Sequence, residues 1–224
     1  MNKTRSVLRL AISIALAFTF SCSSGGDDGG GGNFEYGSLP YKGKDYKTIE
    51  IGTQTWLAEN LNYDVPDNDT DVCYGNNSAN CVTYGRLYSW ATAMALPDSC
   101  NSSSCASQID IKHQGICPND WHIPNYADWT ELIVFVDGSS KYLRAKSGWN
   151  KGANGQDKFG FSALPGGYGV SNGYFDDVGD YGYWWSASQN GGNALYVEMH
   201  GEGYGKDGSL QNGAYLRSVR CVKD

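Results

Sequence analysis

The sequence predicts an α+β domain, and three observations point to that class. Glycine, tyrosine and tryptophan are abundant, at 30, 16 and 7 of 224 residues, which is typical of loop-rich folds with aromatic cores. Two segments before residue 148 carry apolar residues at helical spacing. Residues 148–224 instead have short aromatic runs between glycines, a pattern that indicates strands. The length suits one domain, and no repeat of fixed period is visible.

The clearest helix signal follows a loop that is bracketed by prolines. Asn125 and Asp128 have the spacing of a capping box, in which each side chain accepts a backbone hydrogen bond at the helix start. We therefore predict a helix over residues 126–136, ended by Gly138, and a short helical turn around residues 140–146. In the helix predicted over 126–136, the apolar residues at i, i+3, i+4 and i+7 are Trp129, Leu132, Ile133 and Val136.

The other elements follow from spacing in the same way. Residues 46–51 and 54–58 alternate on either side of a Gly-Thr pair, which predicts a β-hairpin. Residues 86–95 repeat the helical spacing and are followed by Pro97, so a first helix is expected there. The strands predicted in the second half cover residues 159–164, 183–188, 194–199 and 215–222.

Residues 1–21 have the features of a signal peptide. Three basic residues precede an apolar stretch over residues 10–20, which is too short to span a bilayer. Cys22 follows at once and is succeeded by small residues, which resembles the lipid-attachment site of a bacterial lipoprotein. The alternative is an ordinary secretory signal cleaved nearby.

These features divide the chain into three parts. After the signal peptide, residues 22–44 would be the lipidated cysteine and a flexible tether rich in glycine and aspartate, and residues 45–224 the folded domain. We expect a lipid-anchored protein of the cell envelope, placed in the outer membrane and exposed at the cell surface. A net charge of -7 excludes a nucleic-acid partner, because the phosphate backbone requires a basic face.

The chain has seven cysteines, and six remain once Cys22 is assigned to the lipid. In an oxidising compartment these six should form disulfides. Two pairs bracket polar loops that cannot order themselves by burial, and the last pair closes about a hundred residues, worth roughly 4–5 kcal/mol. Zinc thiolates are the disfavoured alternative, because the chain has no Cys-x-x-Cys pair. The predicted pairs are Cys73–Cys81, Cys100–Cys105 and Cys117–Cys221.

Six motifs occur in order along the chain: YKTIEIGTQTWLAENLNY (46–63), YGRLYSWATA (84–93), GICPNDWHIP (115–124), GFSALPGG (160–167), YWWSAS (183–188) and RSVRCV (217–222). Together they resemble the Fibrobacter succinogenes major paralogous domain family. That family is similar in turn to C-type-lectin-like folds, including the formylglycine-generating, sulfatase-modifying group. The resemblance implies paired N- and C-terminal strands, two helices packed on small antiparallel sheets, and a long irregular loop region. It also implies an exported protein, often lipid-anchored, and no established activity.

A non-catalytic binding or adhesion module at the cell surface is the leading functional hypothesis, with a glycan or polysaccharide as ligand. Aromatic side chains in glycine-rich loops can stack on the flat faces of sugars. Trp184 and Trp185 face opposite sides of an extended strand, so that one of the two should be exposed. The alternative is that the aromatic residues simply form the core. The candidate ligand-binding residues are Trp184, Tyr174, Phe175 and Tyr168.

A metal site is the second hypothesis. Asp176, Asp177 and Asp180 lie close together in sequence and could offer three carboxylates to a hard cation such as calcium. A solvated acidic turn is the alternative. No other cofactor is expected, and the sequence motifs of a calcium-dependent lectin site are absent from the chain.

Catalysis is the minority hypothesis. The formylglycine-generating relatives use two reactive cysteines near the C-terminus of their fold, whereas here Cys221 stands alone in that region. An imidazole in the position of His122, in a loop before a helix, more often binds backbone than abstracts protons. We therefore predict no catalytic residues. A structural component of a surface protein assembly is the further alternative, with another surface protein as partner.

Overall fold

Three β-sheets and three α-helices make up the part of the chain that the computed structural model describes, namely residues 34–66, 71–150, 152–201, 203–212 and 215–224. The architecture is mixed and rich in sheet, which fits the predicted α+β class in outline. The predicted signal peptide, Cys22 and the glycine-rich start of the tether lie outside these residues. Within them, no helix has the length and apolar character needed to cross a membrane.

The strands of the described residues are, in chain order, β1 (Gly37–Tyr41), β2 (Lys44–Ile51), β3 (Gln54–Leu57), β4 (Asp71–Val72), β5 (Leu87–Tyr88), β6 (Trp121–His122), β7 (Gly166–Val170), β8 (Phe175–Val178), β9 (Tyr181–Asn190), β10 (Asn193–His200), β11 (Gly203–Asn212), β12 (Tyr215–Leu216) and β13 (Val222–Lys223). The helices are α1 (Ser78–Tyr84), α2 (Trp90–Ala93) and α3 (Tyr126–Phe135). Short 3-10 turns lie between them.

These strands form three sheets. The first has the order β1-β2-β3-β13-β6, and its neighbouring strands run antiparallel. The second has the order β11-β10-β9-β7-β12, with β8 paired to β7. Within the second sheet, β7 and β9 run parallel, and the other pairs are antiparallel. Strands β4 and β5 form the third sheet.

The first sheet joins the beginning of the domain to its end. Val222 in β13 lies opposite Trp56 on one side and His122 on the other, so that N- and C-terminal strands pair as the resemblance implies. The predicted hairpin is present as β2 and β3, and Gly52 in its turn adopts a φ of 64°, which favours glycine. Strand β1 extends the sheet into residues that composition assigns to the tether.

Three disulfides hold the loops, and they are the three pairs that the spacing favours. Cys73–Cys81 closes the segment before and into α1, and Cys100–Cys105 closes a polar loop after α2. Cys117–Cys221 connects residues that are 104 positions apart and lies beside β6 and β13. It therefore closes the longest loop of the three and joins the two strands at the edge of the first sheet.

Helix α3 begins with the predicted capping box. The Asn125 side chain accepts hydrogen bonds from the backbone of Ala127 and Asp128, and the Asp128 carboxylate accepts one from the backbone of Asn125. Gly138, at a φ of 64°, donates its backbone N–H to Ile133 and ends the helix region. The local sequence thus determines both ends of this helix.

His122 connects α3 to β13 through two carboxylates. Its Nδ1 lies 2.7 Å from Asp224 and its Nε2 lies 3.2 Å from Asp128, and the imidazole is buried. Both ring nitrogens carry protons only in the charged form, so two carboxylate partners favour the imidazolium. Burial lowers the pKa of His122, but the hydrogen bonds and charges of Asp128 and Asp224 outweigh it and raise the pKa above its usual value.

Asp224→Asn is expected to weaken the dependence of stability on pH. Because the folded pKa of His122 lies above its unfolded value of about 6.5, its contribution is complete below that value and is lost as pH rises through the folded pKa. Removing the Asp224 carboxylate lowers the folded pKa, so the variant should lose less stability than wild type as pH rises above the unfolded pKa of about 6.5. Urea unfolding at a series of pH values measures the difference.

The exposed neighbour Lys223 supplies the control for this experiment. Lys223→Gln leaves both carboxylates in place and should follow the wild-type pH profile. If the stability of Asp224→Asn depended on pH in the same way as that of wild type, the Asp224 carboxylate would not be a cause of the raised pKa of His122.

Two predicted elements differ from the structure because tertiary hydrogen bonds replace local ones. In the predicted helix over 86–95, only α2 is helical, since Tyr88 instead exchanges both backbone hydrogen bonds with Arg217. The predicted strand over 159–164 is a turn, because the Asp157 carboxylate accepts hydrogen bonds from the backbone and hydroxyl of Ser162. Ser162 also has a positive φ of 53°, which an extended strand does not allow.

The remaining predicted elements are present with altered limits. The helical turn expected around residues 140–146 is a 3-10 turn over Ser140–Tyr142. Residues 183–188 and 194–199 lie within β9 and β10. The predicted strand over 215–222 is interrupted, because only its two ends belong to β12 and β13 and its middle forms single bridges to other segments.

Strand β9 separates the two clusters of the hydrophobic core. Trp185 packs in the cluster that contains Trp90 and the Cys117–Cys221 disulfide, and Trp184 packs in the cluster that contains Trp129. The two tryptophans do face opposite sides, as alternation requires, but the strand is covered on both sides and each ring is fully buried. The expectation that one of them is exposed is wrong.

Candidate functional site

Six tyrosines form a connected group of rings on the second sheet, and we call them the tyrosine cluster. They come from four strands and one loop, β7, β9, β10, β12 and the turn before β8. Tyr174 is about half exposed, Tyr183 is almost buried, and the other four are partly exposed. The members are Tyr168, Tyr174, Tyr181, Tyr183, Tyr196 and Tyr215.

Ring contacts hold the cluster together. The Tyr168 ring lies 5.6 Å from Tyr183, 5.7 Å from Tyr215 and 6.5 Å from Tyr174, measured between centroids. Tyr183 also stacks on Tyr181 at 5.8 Å and meets the edge of Tyr196 at 6.0 Å. These separations are those of favourable aromatic pairs, each worth about 0.5–1.5 kcal/mol. The rings therefore form a preorganised surface rather than a set of independent side chains.

Arg217 lies beneath the cluster as a buried cation. Its guanidinium carbon is 4.0 Å from the Tyr196 ring centroid and 4.6 Å from that of Trp185, with Tyr183 and Tyr215 next. Its Nε and Nη1 have no hydrogen-bond partner, so ring faces supply much of its stabilisation. Burial lowers the pKa of Arg217 to about 10, and it keeps its charge at neutral pH.

Two aspartates anchor the hydroxyl side of the cluster. The Tyr174 hydroxyl donates to Asp176 at 2.5 Å, and the Tyr183 hydroxyl donates to Asp177 at 2.7 Å. The hydrogen bond to Asp176 raises the pKa of Tyr174 to about 12, and burial together with Asp177 raises the pKa of Tyr183 further. Both tyrosines are therefore neutral donors at physiological pH, which fixes the direction of each hydroxyl.

A cavity of about 560 Å³ borders the cluster at Tyr181. Asp177, Asp180 and His200 contribute to its wall, and the His200 ring lies 5.2 Å from that of Tyr181. Its volume falls within the roughly 300–1,000 Å³ that is usual for small-molecule sites. The aromatic surface thus continues into a polar recess that is large enough for a sugar residue.

The structure separates the aromatic residues that the sequence analysis singled out. Tyr168 and Tyr174 belong to the cluster. Phe175 instead contacts the ring of Tyr74 at 5.3 Å. Trp184 is wholly buried and donates its indole N–H to Asn60 at 2.8 Å, so it is a core residue and not part of a ligand-binding surface.

The three aspartates do not form the predicted metal site. The Asp176 carboxylate accepts hydrogen bonds from the Tyr174 hydroxyl and from the backbone N–H of Asp177. The Asp177 carboxylate accepts one from the Tyr183 hydroxyl. Across the described ranges, no three His, Cys, Asp or Glu side chains come together in a group suited to a metal ion. The predicted convergence with Asp180 is therefore wrong, because the first two carboxylates bind tyrosine hydroxyls instead.

Four of the six tyrosines in the cluster were not among the predicted site residues. Tyr181 and Tyr183 alternate along β9, and Tyr196 lies opposite Trp185 in β10, so a period of two was the available signal. Tyr215 and Arg217 lie within the strand predicted over 215–222, but nothing in that segment connects them with the aromatic loops. Only the pairing of β7, β9, β10 and β12 brings these side chains together.

Comparison with protein families gives one match, in which the model of the Fibrobacter succinogenes major domain covers residues 49–223. No curated protein and no solved structure matches the chain. The matched range contains the whole tyrosine cluster and the six disulfide-bonded cysteines.

Proposed function

Because the chain belongs to the Fibrobacter succinogenes major domain family, which implies no particular activity, we propose a function from the chemistry of the site: the domain is a non-catalytic module that binds polysaccharide through the tyrosine cluster. The observation that carries this proposal is the connected set of six tyrosine rings, all but Tyr183 partly exposed, over a buried cation.

The geometry suits a sugar chain for two reasons. The flat C–H face of a sugar ring can stack on tyrosine, and rings that are already held by neighbours lose little conformational entropy on binding. The aspartates at the hydroxyl side offer acceptors for sugar hydroxyls, and Asp176 is exposed. Stacking would provide affinity, and the carboxylates would orient the sugar.

The same proposal places the domain on the cell surface. The apolar N-terminal segment, Cys22 and the glycine-rich stretch support a lipid anchor followed by a tether, which would present the tyrosine cluster away from the outer membrane. The pairing of the first and last strands, next to α3, supports a C-type-lectin-like arrangement. The lack of a catalytic pair of thiols supports a binding role, since the six cysteines described are in disulfides.

Tyr174→Ala and Tyr168→Ala are each expected to weaken polysaccharide binding by about 2- to 10-fold, the equivalent of one aromatic contact. A glycan array identifies the ligand, and titration calorimetry then measures Kd for the variants. Tyr126→Ala is the matched control, because Tyr126 is comparably exposed on α3 but makes no ring contact with the cluster. Equal losses in all three variants, or no binding to any glycan by wild type, would refute the proposal.

A structural role in a surface protein assembly is the second candidate, and one observation favours it. Val134 and Phe135 on α3 are 71% and 50% exposed, and they border an apolar recess of about 300 Å³ beside the β2–β3 turn. Val134→Asp should then abolish association with a partner protein while leaving glycan binding unchanged. Analytical ultracentrifugation of the domain with isolated envelope proteins measures that association.

A further inference from the structure

The polar recess of about 560 Å³ beside the tyrosine cluster lies at one end of the strand pair β9 and β10. Tyr181 begins β9 and His200 ends β10, and these two residues are paired across the strands and line the recess. Asp180, just before β9, and Gly201, just after β10, line it as well. The recess therefore adjoins the tyrosine cluster through Tyr181, which belongs to both.

A short segment beyond the strand ends forms the outer wall of the recess. This wall consists of Asn150, Gly152 and Ala153. The backbone N–H of Asn150 donates to the carbonyl oxygen of Gly179 at 2.8 Å, in the turn before β9. In the turn after β10, a Cβ placed on Gly201 would lie only 2.9 Å from the Cβ of Ala153, so glycine permits this close approach. The wall thus contacts both turns and closes the recess on the side away from the sheet.

Arg144 holds this wall in place. Its Nη1 donates to the carbonyl oxygen of Ala153, and its Nη2 donates to that of Gly201 at 3.3 Å. Arg144 is buried, and its guanidinium carbon lies 5.2 Å from the centroid of the Trp149 ring. Because the guanidinium is a rigid planar group, it fixes the wall and the turn after β10 relative to each other. The recess is therefore preorganised, which reduces the entropy lost when a ligand binds.

The recess and the tyrosine cluster form one continuous path. The exposed Asn150 amide offers a donor and an acceptor to sugar hydroxyls, and the partly exposed ring of Tyr181 offers apolar surface. Tyr181 stacks on Tyr183 at 5.8 Å, and Tyr183 contacts Tyr168, which contacts Tyr174. A sugar in the recess would thus lie at one end of a row of rings.

We propose, on the premise that the tyrosine cluster binds polysaccharide, that the recess holds the terminal sugar of the glycan chain. The volume of the recess suits a single sugar residue with its hydroxyl groups. The outer wall blocks continuation of the chain beyond it, and the tyrosine cluster receives the sugars that follow. The domain therefore recognises the ends of glycan chains and not their interior.

The first measurement titrates the full-length protein with glucose, galactose, mannose, xylose, fucose and N-acetylglucosamine. At least one of them should bind, because a recess for a terminal residue also accepts the free sugar. Asn150→Ala removes the amide from the wall and should weaken that binding by about 3- to 10-fold, the equivalent of roughly one hydrogen bond. Asn190→Ala, at an exposed asparagine at the opposite end of β9, is the matched control and should bind like wild type.

The second measurement counts the protein molecules bound per chain, by calorimetry with short and long fractions of the polysaccharide selected on the glycan array. End recognition requires one molecule per chain at both lengths. A number that rises with chain length would overturn end recognition and leave polysaccharide binding by the tyrosine cluster intact. Binding of none of the six sugars, or an Asn150→Ala protein that binds like wild type, would overturn it as well. Failure of wild type to bind any polysaccharide would refute both proposals.

Discussion

Replacing both Cys117 and Cys221 by alanine is expected to lower the free energy of unfolding by about 5 kcal/mol. The disulfide joins positions that are 104 residues apart, and closing so long a loop removes much entropy from the unfolded chain. Since domains are stable by only about 5–15 kcal/mol, the variant should be close to unfolding at room temperature. Urea denaturation followed by tryptophan fluorescence measures the loss.

The disulfide between Cys100 and Cys105 is a matched control. Its cysteines are also buried, so the cavities left by alanine should be comparable, but its loop spans only 5 positions. The same chain-entropy model predicts a loss of about 2 kcal/mol for the Cys100→Ala/Cys105→Ala variant. Equal losses in the two double variants would show that loop closure is not the source of the stability.

Asn60→Ala should destabilise the domain by about 3–5 kcal/mol, because it leaves several buried donors without an acceptor. Asn60 Oδ1 accepts from Trp184 Nε1 at 2.8 Å and from Arg220 Nη2 at 2.8 Å and Nε at 3.2 Å. Its Nδ2 donates in turn to Tyr84 O at 2.8 Å and Ser218 Oγ at 3.2 Å. The Asn60 amide thus connects the buried Trp184 and the buried Arg220 to two other segments of the chain. Urea unfolding measures how much free energy of unfolding the variant loses.

Two further variants identify the cause of that loss. Asn60→Asp keeps the acceptor and adds a negative charge beside Arg220, so it should lose less stability than Asn60→Ala. Asn62→Ala, at a partly exposed position two residues on, should change stability by no more than about 0.5 kcal/mol. An Asn60→Ala protein as stable as the Asn62→Ala protein would mean that the amide does not organise the core.

Several features of the fold could be predicted because short segments determine them. The capping box at Asn125 and Asp128 uses contacts within one helical turn, and the β2–β3 hairpin needs only its alternation and Gly52. The local disulfides close polar loops that have no other restraint, and assigning them leaves Cys117 and Cys221 as the last pair.

Other features were mispredicted because distant segments decided them. Residues 86–95 have helical spacing, yet part of that segment extends as β5 to pair with β4, and the backbone of Tyr88 bonds to that of Arg217. Trp184 was expected to bind a ligand, but β9 is covered on both faces and the indole N–H of Trp184 donates a hydrogen bond to Asn60. In each case a long-range hydrogen bond outweighed a local preference.

The amino-acid sequence by itself determined the family, the disulfide pairs, the helix α3 and the hairpin, because these depend on motifs and on interactions between near neighbours. Only the tertiary structure decided which aromatic residues are core and which form the tyrosine cluster. That cluster draws rings from β7, β9, β10 and β12, and the pairing of those strands is a long-range property.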